Sequence, residues 1–255
     1  MRRVFAAALA AWGVASGCTG RGGTSAADGA GSVHYCRDAA LAPGRAGLAS
    51  EVEAAVAVMG FGPDGDSFLC SGVVVGPTKV LTARHCLDDR DDWEVLVFLG
   101  ADAAGELDPE SVGVAERALH PSRDLAVVTL EEPTDVTPLA WTGTESIGAS
   151  ASVLGVGYGA PVGEATRCLR AEASGTSAAY AQGAPTLDVR LGDDLLCEGD
   201  SGGPLLVERG DELFVAGVLA TSLRPEGEEC SAQVTFAALS ADDAWTVATI
   251  GPPGD

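Results

Sequence analysis

Residues 199–204 read GDSGGP, a serine flanked by glycines around which the rest of the chain can be interpreted. A serine hydroxyl is a weak nucleophile at neutral pH, so it needs an adjacent base and hydrogen-bond donors for the oxyanion that forms. Glycines allow the backbone to turn sharply and bring amide N–H groups toward a reacting carbonyl. The same stretch also fits the Gly-x-Ser-x-Gly turn of α/β-hydrolases, so Ser201 alone leaves the fold open.

Chain order separates these two interpretations. The histidines are His34, His85 and His120, and all three precede Ser201. An α/β-hydrolase carries its catalytic histidine after the serine, which excludes that fold. The order histidine, aspartate, serine remains, and His85, Asp124 and Ser201 supply it. We interpret His34 and His120 as structural.

Three blocks of sequence surround these residues: LTARHC at 81–86, DLAVV at 124–128 and CEGDSGGP at 197–204. In this order they resemble the signature blocks of the chymotrypsin/trypsin-like serine proteases, peptidase family S1. The resemblance extends from about residue 50 to residue 250. Arg84 departs from it, because the family usually has alanine there.

The resemblance implies an all-β fold of two antiparallel six-stranded β-barrels with a short C-terminal helix. Recurring β-rich runs separated by turn residues independently favour a sandwich or barrels. We expect a peptidase domain over 46–250, with the first barrel at about 50–135, the second at about 140–240 and the helix at about 241–250. The active site would lie in the cleft between the barrels.

The resemblance also assigns a role to each site residue. His85 is the expected general base for Ser201, and Asp124 is expected to hold the imidazole tautomer and stabilise the imidazolium. The backbone N–H groups of Gly199 and Ser201 are the expected oxyanion hole. Neither a cofactor nor a metal is expected.

Substrate specificity departs from the trypsin pattern. The resemblance implies that Leu195 lies at the base of the S1 pocket, where an aspartate would select Arg or Lys. Ala220, Thr221 and Ser222 replace the Ser-Trp-Gly of the family's substrate strand, and Gln233 stands where a pocket-wall glycine is common. These residues predict a shallow pocket for a small or medium apolar P1 side chain, or a partly blocked one.

The activation route is open at the level of sequence. Family members commonly acquire an Ile-Val-Gly-Gly N-terminus whose amine pairs with the aspartate before the nucleophile, here Asp200, but this chain has no such tetrapeptide. One hypothesis is cleavage after Arg45, which would make 18–45 a flexible propeptide. The alternative is that Asp200 is held in another way.

Residues 1–17 read as a signal peptide, with Arg2-Arg3 before an apolar stretch and small residues at its end. ASGC at 15–18 also resembles a bacterial lipobox, so lipidation of Cys18 and plain secretion are both open. No other stretch approaches the ~20 apolar residues of a membrane span.

Seven cysteines fit an oxidising compartment, because setting Cys18 aside leaves six. Zinc is the competing interpretation, but no C-x-x-C motif is present. A bridge across the 16 positions that separate Cys70 from Cys86 would brace the histidine loop and contribute about 3 kcal/mol on the chain-entropy model. With the resemblance, the expected pairs are Cys70–Cys86, Cys197–Cys230 and, from the remaining two, Cys36–Cys168.

Charge and composition narrow the function further. The 255 residues are 46% apolar and carry a net charge of −22, which disfavours nucleic-acid binding. The leading prediction is a secreted or lipid-anchored, monomeric serine endopeptidase acting on proteins or peptides. The alternatives are a catalytically silent homologue that serves as a binding or regulatory module, and an esterase that uses the same triad.

Overall fold

The computed structural model describes residues 33–35, 53–99, 111–144, 152–159, 169–177, 186–190, 196–210, 212–222, 230–231 and 233–254. Several predicted features lie outside the described residues: the signal peptide 1–17, Cys18, Arg45, the Cys36–Cys168 pair and Leu195.

Six antiparallel strands form a closed barrel in the first half of the chain, in the order β2-β3-β4-β7-β6-β5. The strands are β2 Ala55–Phe61, β3 Ser67–Gly76, β4 Lys79–Thr82, β5 Glu94–Phe98, β6 Ser111–Leu119 and β7 Ala126–Leu130. Successive side chains of a strand face opposite sides. Val56 and Val58 accordingly join one apolar cluster with Val97 and Val128, whereas Ala55 belongs to a different cluster.

A seven-stranded sheet follows in the second half, in the order β1-β9-β10-β15-β13-β12-β8. Its strands are β1 Val33–Tyr35, β8 Ser152–Gly157, β9 Leu169–Ser177, β10 Thr186–Arg190, β12 Pro204–Arg209, β13 Glu212–Ser222 and β15 Gln233–Ala238. Because β8 also pairs with β9, six of these strands close into a ring, and β1 extends it. The predicted fold of two six-stranded barrels is therefore confirmed.

Two short strands beside this ring carry a disulfide. β11 Leu196–Cys197 pairs with β14 Cys230–Ser231, and Cys197 and Cys230 face each other and are bonded. The second described disulfide joins Cys70 to Cys86 in the first barrel. Both predicted pairings are confirmed. Disulfides of this kind are typical of proteins that fold in an oxidising environment.

The apolar cluster that contains Ala55 packs the two barrels against each other. Leu81 and Leu125 contribute from the first half of the chain, and Leu206 and Val215 contribute from the second. The Tyr158 hydroxyl, also in this buried interface, donates to the carbonyl of Ala55 over 3.2 Å. The packing places the loops of one barrel beside those of the other.

The chain ends in a short helix, α1, over Ala244–Ile250. Asp243 caps its N-terminus by accepting a hydrogen bond from Thr246 N. The Lys79 amine donates to the carbonyl of Thr249, so the helix is held against the first barrel. The expected C-terminal helix is thus present. Within the described part of the chain, no helix is long and apolar enough to cross a membrane.

Candidate active site

His85 lies in a single turn of 3₁₀ helix, Arg84–Cys86, directly after β4. The Cys70–Cys86 disulfide ties this turn to the neighbouring strand β3. Cys86 is buried, whereas 46% of the His85 side chain is exposed. A buried, covalently held neighbour therefore fixes the position of an imidazole that solvent and a ligand can reach.

Asp124 lies in the loop between β6 and β7 and makes two hydrogen bonds to His85. Its Oδ1 accepts the backbone N–H of His85 at 2.9 Å, and its Oδ2 is 2.7 Å from His85 Nδ1. An ionised carboxylate only accepts, so this contact places the imidazole proton on Nδ1 and leaves Nε2 as the basic nitrogen. The pair has the geometry of a general base held in one tautomer.

Ser201 reaches the same place from the second barrel, in the turn between β11 and β12. Its carbonyl oxygen accepts the backbone N–H of Ser71 at 2.7 Å and lies 3.9 Å from Cys86 Sγ. The serine therefore lies beside the histidine turn. Its hydroxyl forms no hydrogen bond with the described residues, and a serine–histidine contact can tighten only when substrate binds.

The turn around Ser201 depends on glycine at two positions. Gly199 and Gly202 have φ values of 96° and 83°, in the left-handed region that disfavours side chains. A Cβ at Gly202 would also collide with the hydroxyl of Thr82 and the carbonyl of Ser71. The backbone N–H groups of Gly199 and Ser201 donate no hydrogen bond to any described residue, which leaves both donors available to an anionic oxygen.

Asp200 is buried beneath this turn, with 1% of its surface exposed. Its Oδ1 accepts the N–H of Gly159 at 2.6 Å and its Oδ2 accepts the N–H of Cys197 at 2.7 Å. Backbone amides therefore hold the carboxylate in place. Since Arg45 lies outside the described residues, the hypothesis of cleavage there stays a prediction.

Arg84, the residue that departs from the family pattern, connects the histidine turn to the loop that carries Asp124. Its guanidinium donates to the carbonyls of His120 at 2.9 Å and Pro121 at 3.3 Å. It also pairs with Asp88 one turn further on, at 3.1 Å. Sequence reasoning gave this residue no part in the site.

His120 is buried at the start of the same loop, and it is hydrogen-bonded through both ring nitrogens. Nδ1 accepts the backbone N–H groups of Ser122 and Arg123 at 3.1 and 2.9 Å. Nε2 must then carry the proton, and it donates to Asp243 Oδ2 at 3.1 Å. The edge of the ring packs on Trp245.

Two pKa shifts accompany this arrangement. Burial lowers the pKa of His120, with Arg123 and Arg84 acting in the same direction and Asp243 opposing it. Burial opposes ionisation of Asp243, but the hydrogen bonds from Thr246, together with the charges of Arg123 and His120, hold the pKa of that carboxyl below its ordinary value. A neutral imidazole beside a carboxylate therefore supports the loop.

The predicted specificity residues are only partly described. Ser222 pairs with Val234 at the end of β13, so Thr221 and Ser222 are backbone neighbours of β15. Gln233 begins β15 with an exposed side chain, opposite Arg190. The pocket preference that these residues suggest stays a prediction.

Cys70, His85 and Cys86 bring a nitrogen and two sulfur atoms within 4.8 Å of one another. Both sulfur atoms belong to the same disulfide, and zinc binds thiolate sulfur. This group of residues therefore fits a braced imidazole and does not fit a zinc ligand set.

Comparison with known proteins agrees with this arrangement. The sequence model of the family described as Trypsin matches residues 49–239. Coagulation factor XII of Bos taurus is 30% identical over 181 residues, which are 56% of this chain and 29% of that protein. Trypsin of Saccharopolyspora erythraea is 27% identical over 170 residues, which are 57% of this chain and 73% of that protein.

Two other relatives are not described as active proteases. Glucanase inhibitor protein 4 of Phytophthora infestans is 28% identical over 193 residues, 63% of this chain and 71% of that protein. The solved structure of the scabies mite inactivated protease paralogue S-I1 has a TM-score of 0.65 at 22% identity, covering 79% of this chain and 96% of that one. The similarity to the scabies mite protein shows a shared fold alone.

The family match covers most of the chain, and the barrels and disulfides agree with it. The chain belongs to the trypsin family of serine proteases. It spans less than a third of the length of the mammalian factor XII proteins that it matches, at 29% of each.

Proposed function

We propose that this protein is an exported serine endopeptidase that hydrolyses peptide bonds through an acyl-enzyme. Ser201 is the nucleophile, His85 is the general base, and Asp124 orients the imidazole. The observation that carries the proposal is the pair of hydrogen bonds from His85 to Asp124, 2.9 and 2.7 Å, in the turn beside Ser201.

The reaction follows from these positions. As Ser201 Oγ attacks the scissile carbonyl carbon, its proton passes to His85 Nε2, the nitrogen that the Asp124 contact leaves basic. The carbonyl oxygen becomes an oxyanion and accepts the N–H groups of Gly199 and Ser201. The C–N bond then breaks, the proton moves from Nε2 to the leaving amine, and water repeats the sequence on the ester.

The hydrogen bonds of the backbone favour the N–H groups of Gly199 and Ser201 as the oxyanion donors. Gly199 and Ser201 are the two residues of the turn whose N–H groups make no hydrogen bond to the described residues, while Asp200, Gly202 and Gly203 donate theirs to protein carbonyls. Removing one such donor typically costs a serine protease about 100- to 1,000-fold in rate.

Leu195 and the altered substrate strand favour substrates that carry a small or medium apolar side chain at P1. The acidic surface, with its net charge of −22, is compatible with an exported soluble enzyme. Lipidation at Cys18 is the alternative to free release from the cell.

The first test is labelling by a fluorophosphonate probe, which phosphonylates activated serines. The full chain is produced with export to an oxidising compartment, so that the disulfides form, beside a matched Ser201→Ala variant. Labelling of the wild type alone supports the proposal and leads to a library of peptides that vary at P1. A folded wild type that takes no label, even after cleavage following Arg45, contradicts it.

A catalytically silent binding module is the second candidate. The sequence departs from the family at Ala220, Thr221 and Ser222 and lacks the usual activation tetrapeptide. The similar glucanase inhibitor protein is named for inhibition. Absence of labelling in a protein with intact disulfides and cooperative unfolding would favour this candidate, and a pull-down with exported proteins would then identify the partner.

A further inference from the structure

We propose that Ser71 is a positioning residue that holds the oxyanion donors of the second barrel in place from the first barrel. The inference rests on the proposed function, because it assigns a support to the donors of Gly199 and Ser201. Ser71 follows Cys70 in strand β3 and has no exposed surface. A buried hydroxyl requires hydrogen-bond partners, and the identity of those partners carries the argument.

The Ser71 hydroxyl bridges two segments of the second barrel. It donates to the carbonyl oxygen of Gly199 at 2.8 Å and accepts the backbone N–H of Tyr158 at 2.8 Å. These partners lie 128 and 87 positions away in the sequence. One side chain of β3 therefore connects the nucleophile turn with the turn that follows β8.

The backbone of Ser71 adds two contacts to the same place. Its N–H donates to the carbonyl of Ser201 at 2.7 Å, and its carbonyl accepts the Thr82 hydroxyl at 2.7 Å. The Thr82 contact holds β3 to the start of the histidine turn. Ser71 thus stands between the segment that carries His85 and the segment that carries Ser201.

The order of the peptide groups along the backbone shows why these contacts matter for the oxyanion donors. The N–H of Ser201 belongs to the peptide between Asp200 and Ser201. The peptide before it carries the Gly199 carbonyl, and the peptide after it carries the Ser201 carbonyl. Ser71 binds both carbonyls, so the donor peptide is held on either side by one residue.

Gly199 needs this support more than its neighbours do. Its φ of 96° is a conformation that glycine enters and leaves freely, since no Cβ restricts it. Rotation of the chain at Gly199 would move its N–H away from a bound oxyanion. Donors stabilise that oxygen only when they lie within about 2.7–3.1 Å of it.

Two substitutions distinguish this role from ordinary packing. Ser71→Ala removes the hydroxyl but keeps Cβ, so the carbonyl of Gly199 and the N–H of Tyr158 lose their hydrogen bonds to Ser71 without room for a water. Ser71→Gly removes both atoms and leaves space on the order of one water, which can bridge the same two groups. Glycine is the poorer residue in a strand, so packing alone ranks it below alanine.

The test measures the rate constant of fluorophosphonate labelling for the exported full chain, its Ser71 variants and a matched control, Ser67→Ala, an exposed serine of the same strand. All rates are taken well below each melting temperature. We expect Ser71→Ala to label about 10- to 100-fold more slowly than the wild type, since donor displacement acts like partial donor loss. Ser71→Gly should label faster than Ser71→Ala despite a lower melting temperature, and Ser67→Ala should match the wild type.

Two results would overturn the inference while the proposed function stands. One is wild-type labelling in Ser71→Ala, and the other is a Ser71→Gly variant that labels no faster than Ser71→Ala. If the wild type itself takes no label, the proposed function fails, and amide hydrogen exchange decides the inference. In that case we expect the amide protection of Tyr158 and of residues 199–203 to drop in Ser71→Ala and to persist in Ser67→Ala. Unchanged protection in Ser71→Ala would overturn the inference.

Discussion

His120 and Asp243 lie 123 positions apart in the sequence and form a hydrogen bond of 3.1 Å between Nε2 and Oδ2. His120 opens the loop that carries Asp124, and Asp243 caps the C-terminal helix α1. The helix at the end of the chain is therefore connected to the loop of the proposed catalytic aspartate. Both partners also bond backbone N–H groups, so neither can move without breaking local structure.

The His120 arrangement predicts a loss of stability in mild acid. The pKa of His120 is below its ordinary value of 6.5, so below that pH the unfolded chain binds more protons than the folded one. The free energy of unfolding that depends on a neutral His120 is fully present above about pH 6.5. It declines as the pH falls toward the pKa of His120 in the folded state. Denaturant unfolding at pH 7.5, 6.5 and 5.5 measures it.

His120→Gln should be less stable at pH 7.5 but should lose less stability on acidification than the wild type, because glutamine does not titrate. Gln233→Ala, an exposed substitution outside this network, should keep the wild-type pH dependence. An undiminished acid response in His120→Gln would show that other groups cause it.

Asp243→Ala should lower the free energy of unfolding by about 2 kcal/mol, because it removes a helix cap and leaves the buried Nε2–H of His120 without an acceptor. The neighbouring Asp242→Ala is the matched control, since its side chain is exposed, and it should change stability by less than about 0.5 kcal/mol. Urea unfolding of the two variants compares them directly. Equal losses would mean that the Asp243 contacts contribute nothing specific.

Arg84→Ala should slow fluorophosphonate labelling about 3- to 10-fold, because charged hydrogen bonds to the carbonyls of His120 and Pro121 are worth roughly 1 kcal/mol or more. Asp88→Ala breaks only the exposed ion pair with Arg84, and exposed pairs contribute little. Labelling kinetics of both variants provide the measurement. If Asp88→Ala is the slower variant, the ion pair and not the carbonyl contacts supports the turn.

Gly202→Ala and Gly65→Ala separate backbone strain from crowding. Both glycines have similar φ values, 83° and 89°, but a Cβ meets nothing within 4 Å at Gly65 and collides with Thr82 and Ser71 at Gly202. We expect a cost of about 1 kcal/mol for Gly65→Ala and more than about 3 kcal/mol, or failure to fold, for Gly202→Ala. Denaturant unfolding and soluble yield measure the difference, and similar costs would contradict the crowding argument.

The parts of the fold that sequence predicted depend on short patterns. Alternating apolar runs and turn residues indicated a sandwich or barrels, and the family resemblance supplied the two barrels and the two described disulfides. His85 and Asp124, assigned to one site from their blocks, are in contact. The catalytic roles themselves stay predictions until labelling tests them.

The supporting contacts could not be predicted in the same way, because they depend on strand register and on the packing of one barrel against the other. Ser71 stands in an apolar stretch, FLCSGVVV at 68–75, and a polar residue in such a stretch signals a buried group with partners. Nothing in the sequence says that Gly199 and Tyr158 are those partners. Asp243 likewise caps helix α1, and only the fold brings it to His120.

The assignment of His85 and Asp124 to one barrel and of Ser201 to the other has a consequence for the newly made chain. The ribosome completes the base and its aspartate more than 70 residues before the serine, and Ser71 can hold the Gly199 turn only after the second barrel has closed. The proposed site can therefore be assembled only late, when the second barrel has folded. If the proposed activity is correct, the order of synthesis keeps the nascent chain inactive until both barrels are complete.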